Sequence, residues 1–329
     1  MERIKPKLIC LTPTRNDAWV LDIFLQETSR WADYIFLVDQ NSTDNTIEIA
    51  KKYPKTRVFK YDSIDFDEGA QKAVIVNEAR KIEDPKILFG LDSDEILSAN
   101  FEKTNDWKKI IESKPGDVFA FQWANILPNK SSYFPTDLFC PWVVNDNGCE
   151  YKNYVKKMHG TRIPYPTSAD KGWNMVTEFK VLHLSHMNKL KTKSKNRYYQ
   201  CVFINNESNE HFISLFRDHN RLHPVEISTP GEWVKNEDHV INFDMVDTLS
   251  RYFWYDDEII RFFRTYGLEK YRYLCIWDNL FLESISDKIQ VRDPRSFTIK
   301  MIHHYLKFTQ VYYNLIIIRV IDKILKILI

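Results

Sequence analysis

The first 125 residues alternate between short apolar runs and stretches with helical spacing of apolar side chains, and this alternation restricts the fold most. The predicted strands are residues 8–12 (LICLT), 34–38 (YIFLV), 57–61 (RVFKY) and 87–91 (ILFGL), and all but 57–61 are almost entirely apolar. Near-continuous apolar runs between amphipathic helices are typical of strands that are buried on both faces. The pattern therefore predicts an α/β fold, with a mostly parallel sheet flanked by helices.

The pattern changes after this region. Residues 118–180 lose the helical period and contain several prolines, which indicates a loop-rich segment suited to forming a pocket. From residue 188 onward the spacing of apolar residues is mainly helical. We expect three regions: residues 1–190 binding the donor and acceptor, a helical extension at 191–298, and an amphipathic terminal helix at 299–329.

The composition excludes some classes of partner and site. The 46 Lys and Arg residues nearly balance the 45 Asp and Glu residues, so overall charge gives no reason to expect nucleic-acid binding. The five cysteines are odd in number and lack a paired spacing, which argues against a disulfide framework and a structural zinc site. The charged N-terminus does not resemble a signal peptide. We expect a cytoplasmic protein, or one at the cytoplasmic face of a membrane.

Polar clusters follow all four predicted strands. They occupy residues 12–15 (TPTR), 39–44 (DQNSTD), 62–67 (DSIDFD) and 92–95 (DSDE). Open α/β sheets bind ligands at the carboxyl ends of their strands, where these clusters would meet. The spacing predicts a ligand site at that edge.

Asp92 and Asp94 are separated by one residue just after an apolar strand. Their oxygens suit Mg²⁺ or Mn²⁺, which keep coordination positions open for diphosphate oxygens. Bound there, the metal would act as a Lewis acid and offset charge on a departing nucleoside diphosphate. Acidic pairs on loops are often only solvated, but the position at a strand end favours a functional pair.

The segments PTRND, VDQNSTDNT and LFGLDSDEIL resemble those of family-2 glycosyltransferases with the GT-A (Rossmann-like) fold. The resemblance covers residues 7–125 clearly and continues faintly through 162–166 and 183–200. It implies a hexosyltransferase that uses a UDP-, GDP- or dTDP-sugar with Mn²⁺ or Mg²⁺. The acceptor would be a glycan or a lipid-linked glycan, and transfer would invert the anomeric centre, in cell-surface polysaccharide or glycolipid synthesis.

The resemblance also implies roles for individual residues. Asp39 would accept a hydrogen bond from the base, and Asp92 would contact the ribose or the metal. The donor-binding residues would be Pro13, Thr14, Arg15, Asp39, Asn41, Lys72, Asp92, Ser93, Lys195 and Arg197, with Gln71 as an alternative to Lys72. The metal ligands would be Asp92, Asp94 and His183, with His186 as a weaker alternative.

One departure from the family pattern concerns the turn after the second strand. Gln40 and Asn41 stand where the family usually has a polar residue and glycine. Asn tolerates a left-handed backbone better than other non-glycine residues, so we expect the turn to survive.

The basic run at residues 189–197 contains no acid. It fits either a solvated loop or a mobile flap that closes over the diphosphate, with Lys195 and Arg197 as phosphate contacts. Nucleic-acid binding through so short a run is the third and weakest interpretation.

Inversion requires a carboxylate within reach of the acceptor hydroxyl. The candidates are Asp137, Asp146, Glu150, Asp170 and Glu178. We favour Asp146, which lies in the NDNG turn of the loop-rich region, and we retain Glu178 as a second catalytic candidate. An ordinary solvated turn aspartate would give the same pattern.

The C-terminal segment 315–329 is almost entirely Leu, Ile and Val, apart from Arg319, Asp322, Lys323 and Lys326. On a helix these four form one polar stripe. The segment is too short and too charged to span a bilayer. Either its broad apolar face packs on the protein, or the helix lies on an anionic membrane.

Two other functions remain open. A binding scaffold that keeps the nucleotide site but lacks activity would carry the same motifs. A sugar-1-phosphate nucleotidyltransferase would be expected to have a glycine-rich loop after the first strand, and LTPTRND has no glycine there.

Overall fold

The computed structural model describes residues 4–62, 68–136, 139–151, 162–166, 172–205, 210–220 and 226–328. The chain divides into two compact units. The first comprises residues 1–187 and 226–248, and the second comprises residues 188–225 and 249–329. The chain first passes between units close to the expected boundary at residue 190. It then returns to the first unit at 226–248, and residues 299–329 belong to the second unit with the other helices.

The first unit is built around a seven-stranded sheet with strand order β10-β6-β9-β4-β1-β2-β3. Its strands are β1 (Lys7–Thr14), β2 (Tyr34–Asp39), β3 (Thr56–Lys60), β4 (Lys86–Gly90), β6 (Val118–Phe121), β9 (Cys140–Asn145) and β10 (Asn174–Met175). Strands β4, β1, β2 and β3 are parallel neighbours, whereas β9 runs antiparallel to both β4 and β6. The predicted α/β architecture, with a mostly parallel sheet, is confirmed.

Alternate residues of the central strands enter two separate apolar layers, because successive side chains of a strand point to opposite faces. Cys10 and Leu37 belong to the layer that includes α1 (Leu21–Ser29). Leu11 and Phe36 belong to the opposite layer, which includes α3 (Glu68–Arg80). Burial on both faces explains the continuous apolar runs in the sequence.

A second sheet in the same unit has the order β12-β8-β7-β11-β5. Its strands are β5 (Glu95–Leu97), β7 (Trp123–Ile126), β8 (Ser132–Pro135), β11 (Val181–His183) and β12 (Ile227–Ser228). Strand β11 pairs antiparallel with β5 and parallel with β7. This register places His183 opposite Glu95 on one side and opposite Asn125 on the other. It therefore brings a late segment of the chain to the acidic loop after β4.

The second unit is helical, which confirms the predicted helical C-terminal region. Its helices are α5 (Lys189–Asn205), α6 (Phe212–His219), α8 (Trp254–Tyr266), α9 (Asn279–Ile285), α10 (Phe297–Thr309) and α11 (Ile316–Leu328). These helices enclose a core rich in aromatic side chains. Helix α7 (Gly231–Val234) lies in the first unit instead. Over the described ranges, no helix has the length and apolar character needed to cross a bilayer.

Candidate active site

The loops that follow β1 and β2 are joined through Asn16. Its backbone N–H donates to the Ser42 hydroxyl at 2.8 Å, and its Oδ1 accepts from the Thr43 N–H at 2.6 Å. Asn16 and Asn41 both have a φ of 53°, in the left-handed region. The prediction that Asn41 keeps the turn in the glycine position is confirmed.

Asp39 ends β2 directly opposite Thr14, the last residue of β1. The Asp39 carboxylate is largely buried and accepts the Ser42 N–H, with both oxygens within 3.3 Å. Pro13 belongs to β1 and Arg15 follows it directly. The structure therefore brings these four predicted donor-binding residues to one edge of the sheet.

Asp17 connects this edge to the acidic loop. Its Oδ2 accepts from the Thr14 hydroxyl at 2.9 Å and from the Ser93 hydroxyl at 2.7 Å. It also accepts the Arg15 N–H at 3.2 Å. The loops after β1 and β4 thus meet at a single carboxylate, which the sequence analysis did not single out although it lies within the PTRND segment.

The buried carboxylate of Glu95 fixes the acidic loop, residues 92–95, through hydrogen bonds. It is fully buried, and its two oxygens accept from the Trp123 and Trp142 indole N–H groups at 2.7 and 3.1 Å. The Asp92 backbone N–H donates to the same carboxylate at 3.0 Å. Burial raises the pKa of Glu95, and the adjacent Arg162 guanidinium opposes that rise.

Arg162 links Glu95 to Asp92. Its Nη2 lies 3.0 Å from Glu95 Oε1, its Nη1 forms an ion pair with the Asp92 carboxylate, and its guanidinium lies over the Trp123 ring. A Cβ at position 90 would lie 2.5 Å from the Arg162 carbonyl oxygen, so Gly90 is what allows this segment to approach β4. The Asp92 carboxylate is therefore already paired with a basic side chain of the protein, Arg162.

Asp94 and His183 lie side by side, with 3.6 Å between Asp94 Oδ2 and His183 Nε2. His183 Nδ1 lies 2.7 Å from Asn125 Oδ1, and the Asn125 amide nitrogen donates to the Phe134 carbonyl oxygen. This orientation makes His183 Nδ1 the donor to Asn125, so Nε2 is the ring nitrogen that faces Asp94. A histidine that donates its other N–H to an oxygen is the usual arrangement in metal sites.

A carboxylate oxygen and an imidazole nitrogen face the same space here, and both are ligand types that Mn²⁺ accepts. The structure brings together two of the three predicted ligands, Asp94 and His183. The third, Asp92, is paired with Arg162. Within the described ranges, no group of three or more His, Cys, Asp or Glu side chains is arranged to hold a metal. His186 contacts the ring of His183 with its own ring.

Helix α3 contributes a further contact to the loop after β2. Gln71 Nε2 donates to Gln40 Oε1 at 2.9 Å, and both side chains are buried. Lys72 is the next residue of α3 and is also buried. The structure thus assigns the loop contact to Gln71, while Lys72 remains a predicted donor-binding residue.

Asp146 lies at the opposite end of β4 from Asp92. Its backbone N–H donates to the carbonyl of Lys86, the first residue of that strand. Its oxygens accept from Arg80 at 3.1 and 2.8 Å and from the Tyr151 hydroxyl. Burial alone would raise the pKa of Asp146, but these hydrogen bonds lower it below its usual value. The structure therefore places the favoured general base in an ion pair with Arg80 and does not bring it to the edge that carries Asp39 and Asp92.

Glu178 caps a helix. Its Oε2 accepts the backbone N–H groups of Asn105 and Asp106, at 2.6 and 3.2 Å, at the start of α4 (Asn105–Ile111). A carboxylate at a helix N-terminus stabilises the helix dipole, which gives this side chain a structural role. The structure thus engages Glu178 at the start of α4, and its catalytic role stays a prediction.

The other three candidates for the general base, Asp137, Glu150 and Asp170, stay predictions. Asp137 and Asp170 lie outside the described residues, as does most of the 62–67 segment. Glu150 is exposed and follows β9 beyond Asp146.

Lys195 and Arg197 lie on α5 in the second unit, so the predicted loop or flap at 189–197 is a helix. Arg197 is buried, and its guanidinium forms three hydrogen bonds of 3.0 to 3.1 Å with Asp278. The structure therefore pairs this predicted phosphate contact with an acid of the protein. Lys195 lies 5.7 Å from the centre of the Tyr199 ring.

Comparisons with known proteins find only partial structural similarity. No protein-family model matches the sequence, and no curated protein matches it. Among solved structures, a mycobacterial protein overlaps 36% of this chain and 42% of its own at 14% identity and a TM-score of 0.29. Glucosyl-3-phosphoglycerate synthase from Mycobacterium tuberculosis, in complex with Mn²⁺, UDP-glucose and phosphoglyceric acid, overlaps 37% and 44% at 15% identity and a TM-score of 0.27. 4-Diphosphocytidyl-2C-methyl-D-erythritol synthase overlaps 28% and 48% at 17% identity and a TM-score of 0.23. The chain spans less than half the length of each, and similarity of this extent does not establish a shared activity.

Proposed function

We propose that this protein is a metal-dependent glycosyltransferase of the family-2 type, which transfers a sugar from a nucleotide-diphosphate donor to a glycan or lipid-linked acceptor. One observation carries the proposal: the Asp94 carboxylate faces the His183 imidazole at 3.6 Å, on a loop joined to the nucleotide edge of the sheet. The joining contact is the Asp17 carboxylate, which holds both Ser93 and Thr14.

The strand ends supply the donor-binding side. Asp39 offers carboxylate oxygens to the N–H groups of a base, and Pro13, Thr14 and Arg15 border the nucleoside. Asn41 shapes the turn beside Asp39, and Ser93 fixes the acidic loop through Asp17. These positions match the edge at which open α/β sheets bind ligands.

Asp94 and His183 would hold the metal. When bound, Mn²⁺ or Mg²⁺ would supply positive charge to the phosphate oxygens as the nucleoside diphosphate departs. Asn125 keeps the His183 Nε2 lone pair available, and Glu95 fixes the backbone from which Asp92 and Asp94 project. Inversion at the anomeric carbon and a role in cell-surface glycan synthesis are parts of the proposal that follow from the family resemblance.

The proposal is tested with the full chain and a panel of UDP-, GDP- and dTDP-sugars, each with Mn²⁺ or with a chelator. One donor should raise the unfolding temperature only when metal is present, because a ligand that binds the folded state alone stabilises it. That donor should also release nucleoside diphosphate. Asp94→Asn and His183→Gln should each weaken metal-dependent donor binding by about tenfold or more.

Glu102→Gln is the matched control, because Glu102 is exposed on the 3₁₀ turn Phe101–Lys103 and is not a candidate for the site. It should leave donor binding and turnover unchanged. Binding without any turnover would instead indicate a scaffold, and release of pyrophosphate from a nucleoside triphosphate and a sugar-1-phosphate would indicate a nucleotidyltransferase. If Asp94→Asn retains normal metal-dependent binding, the site is misplaced.

A further inference from the structure

Helix α11 packs on the second unit through a narrow face. Ile318 and Asp322 are buried, and Ile321 and Leu325 are partly buried, so the inward residues recur at three- and four-residue spacing. An aspartate at the centre of a packed helix face requires a partner, because a buried charge is costly when it is left unpaired.

Arg217 of α6 is that partner. Its Nε and Nη2 donate to the two Asp322 oxygens at 2.9 and 3.0 Å. The same guanidinium donates to the Leu306 carbonyl oxygen, the Thr309 hydroxyl and the Gln310 side-chain oxygen, at 2.8 to 3.0 Å. A polar anchor of this kind sets the rotation of α11 about its own axis, since turning the helix would bury an unpaired arginine.

The rotation leaves the broad apolar face of α11 exposed. Its members are Ile316, Ile317, Val320, Ile324, Ile327 and Leu328, with exposed fractions between 48% and 84%. The interpretation in which this face packs on the protein is therefore wrong for the described chain. Large apolar surfaces exposed in this way mark sites of interaction.

The preceding helix also exposes apolar side chains. Phe297, Met301 and Phe308 of α10, followed by Val311 and Tyr312, are all exposed, and the three on α10 lie four and seven residues apart, on one face of the helix. The opposite side of α10 is buried at Ile299, Ile302 and Leu306. Both terminal helices thus pack by one face and present apolar side chains on the other.

Basic residues outnumber acidic ones in the two terminal helices, although Lys300 pairs with Asp293. Residues 297–329 contain five basic residues, Lys300, Lys307, Arg319, Lys323 and Lys326, and a single acid, Asp322. That acid is paired with Arg217 in the interior. On α11 the three basic residues lie along one border of the exposed apolar face, at i, i+4 and i+7.

We propose that α10 and α11 dock this protein on an anionic lipid surface, with the apolar face of α11 in the headgroup boundary and its basic border against lipid phosphates. A helix with a broad apolar face and a basic polar edge is the form that binds membrane interfaces. A second copy of the chain fits less well, because an isologous contact through this face would bring together two basic surfaces, and the single acid of residues 297–329, Asp322, is already paired with Arg217. Membrane docking is independent of the donor site.

The test is flotation of the full chain with phosphatidylcholine vesicles prepared with and without phosphatidylglycerol. The protein should float with the anionic vesicles, and added salt should weaken the binding because it screens the basic border. The double variant Ile317→Glu/Ile324→Glu should reduce binding by about tenfold or more, because it places two charges in the apolar face. Lys323→Gln should reduce it by about fivefold.

The matched control is Leu280→Glu, which adds a charge at an exposed apolar residue of α9 in the same unit. It should float like the natural protein, and unchanged circular dichroism melting should show that the variants are folded. Absence of flotation, or equal flotation of the double variant, overturns the proposal. A dimer that the double variant dissociates, seen by analytical ultracentrifugation without vesicle binding, also overturns it and assigns the surface to a second copy.

Discussion

Glu95 organises the acidic loop although it does not reach solvent. Its carboxylate holds the Asp92 N–H, two indole N–H groups and the Arg162 guanidinium. Glu95→Gln would turn an amide N–H toward these donors and leave Arg162 without its buried partner. We expect a loss of about 3 kcal/mol in the free energy of unfolding, the cost typical of breaking a buried ion pair, together with weaker metal-dependent donor binding. Urea denaturation and donor titration measure the two effects.

Glu102→Gln is the control for this change, because Glu102 is exposed on a 3₁₀ turn of the same unit. It should alter neither stability nor donor binding. If Glu95→Gln unfolds at the same urea concentration as Glu102→Gln, Glu95 does not fix the loop.

His303 gives the second unit a dependence on pH. It is buried; its Nε2–H donates to the Tyr273 carbonyl oxygen at 2.8 Å, and its Nδ1 accepts from Arg295 at 3.1 Å. Burial and the nearby Arg295 charge lower the pKa of His303 to about 4, against 6.5 when it is unperturbed. The unfolded chain therefore binds a proton that the folded chain excludes, so stability falls as the pH drops from 6.5 toward 4 and loses about 2 kcal/mol by about pH 5.

His303→Gln tests this origin, because glutamine can donate to Tyr273 and accept from Arg295 without titrating. Denaturation midpoints at neutral and mildly acidic pH should fall less in the variant than in the natural protein, by the amount attributed to His303. Equal falls in both proteins would place the acid sensitivity elsewhere.

The residues of the site differ in how far the sequence alone could identify them. Asp39, Asp92 and Asp94 follow buried strands, and the local pattern was enough to place them at one edge. Arg162 and Asn125 were not assigned roles, because their partners lie 70 and 58 residues away along the chain. The ion pair of Asp146 was missed for the same reason: a turn composition does not reveal an arginine 66 residues earlier.

At the scale of the element, removing the Arg217–Asp322 pair that anchors α11 should lower the stability of the protein measurably. Asp322→Ala would leave Arg217 buried with only neutral partners, and we expect a loss of about 3 to 5 kcal/mol in the free energy of unfolding. Denaturation followed by helical circular dichroism measures it. Asp257→Ala is the control, because Asp257 pairs with Lys288 on the surface and such pairs contribute about 1 kcal/mol or less. Equal losses in the two variants would contradict a structural role for the buried pair.

The elements with a continuous apolar pattern were predicted well, and the polar ones were not. Strands β1, β2 and β4 are buried on both faces, so their sequences carry the pattern directly. The basic run 189–197 has little apolar periodicity, yet it forms the start of α5, because Arg197 and Lys191 are buried there by tertiary contacts. Similarly, the stripe on α11 was recognised, but its direction depends on Arg217, which lies 105 residues away.

For the whole molecule, the two units have separate cores, and residues 226–248 join the first unit after an excursion through the second. Local patterns do not predict such a return. It is fixed by particular contacts, such as His239 Nε2 with the Glu27 carboxylate at 2.8 Å and the Asp247 N–H with the Trp19 carbonyl oxygen. All the residues that the structure brings to the candidate site lie in the first unit, whereas Lys195 lies in the second.

Because the residues of the candidate site lie in the first unit, a bound donor should slow amide exchange in that unit. A nucleotide bound with Mn²⁺ stabilises the regions that it contacts relative to their open states, so backbone amide exchange should slow there. We expect slower exchange at residues 14–17, 39–46 and 92–95, and unchanged exchange in α10. Hydrogen exchange read by mass spectrometry, with donor plus Mn²⁺ against donor plus chelator, measures both. Protection in α5 as well would mean that Lys195 takes part in donor binding, whereas protection confined to the second unit would contradict the site at the strand ends.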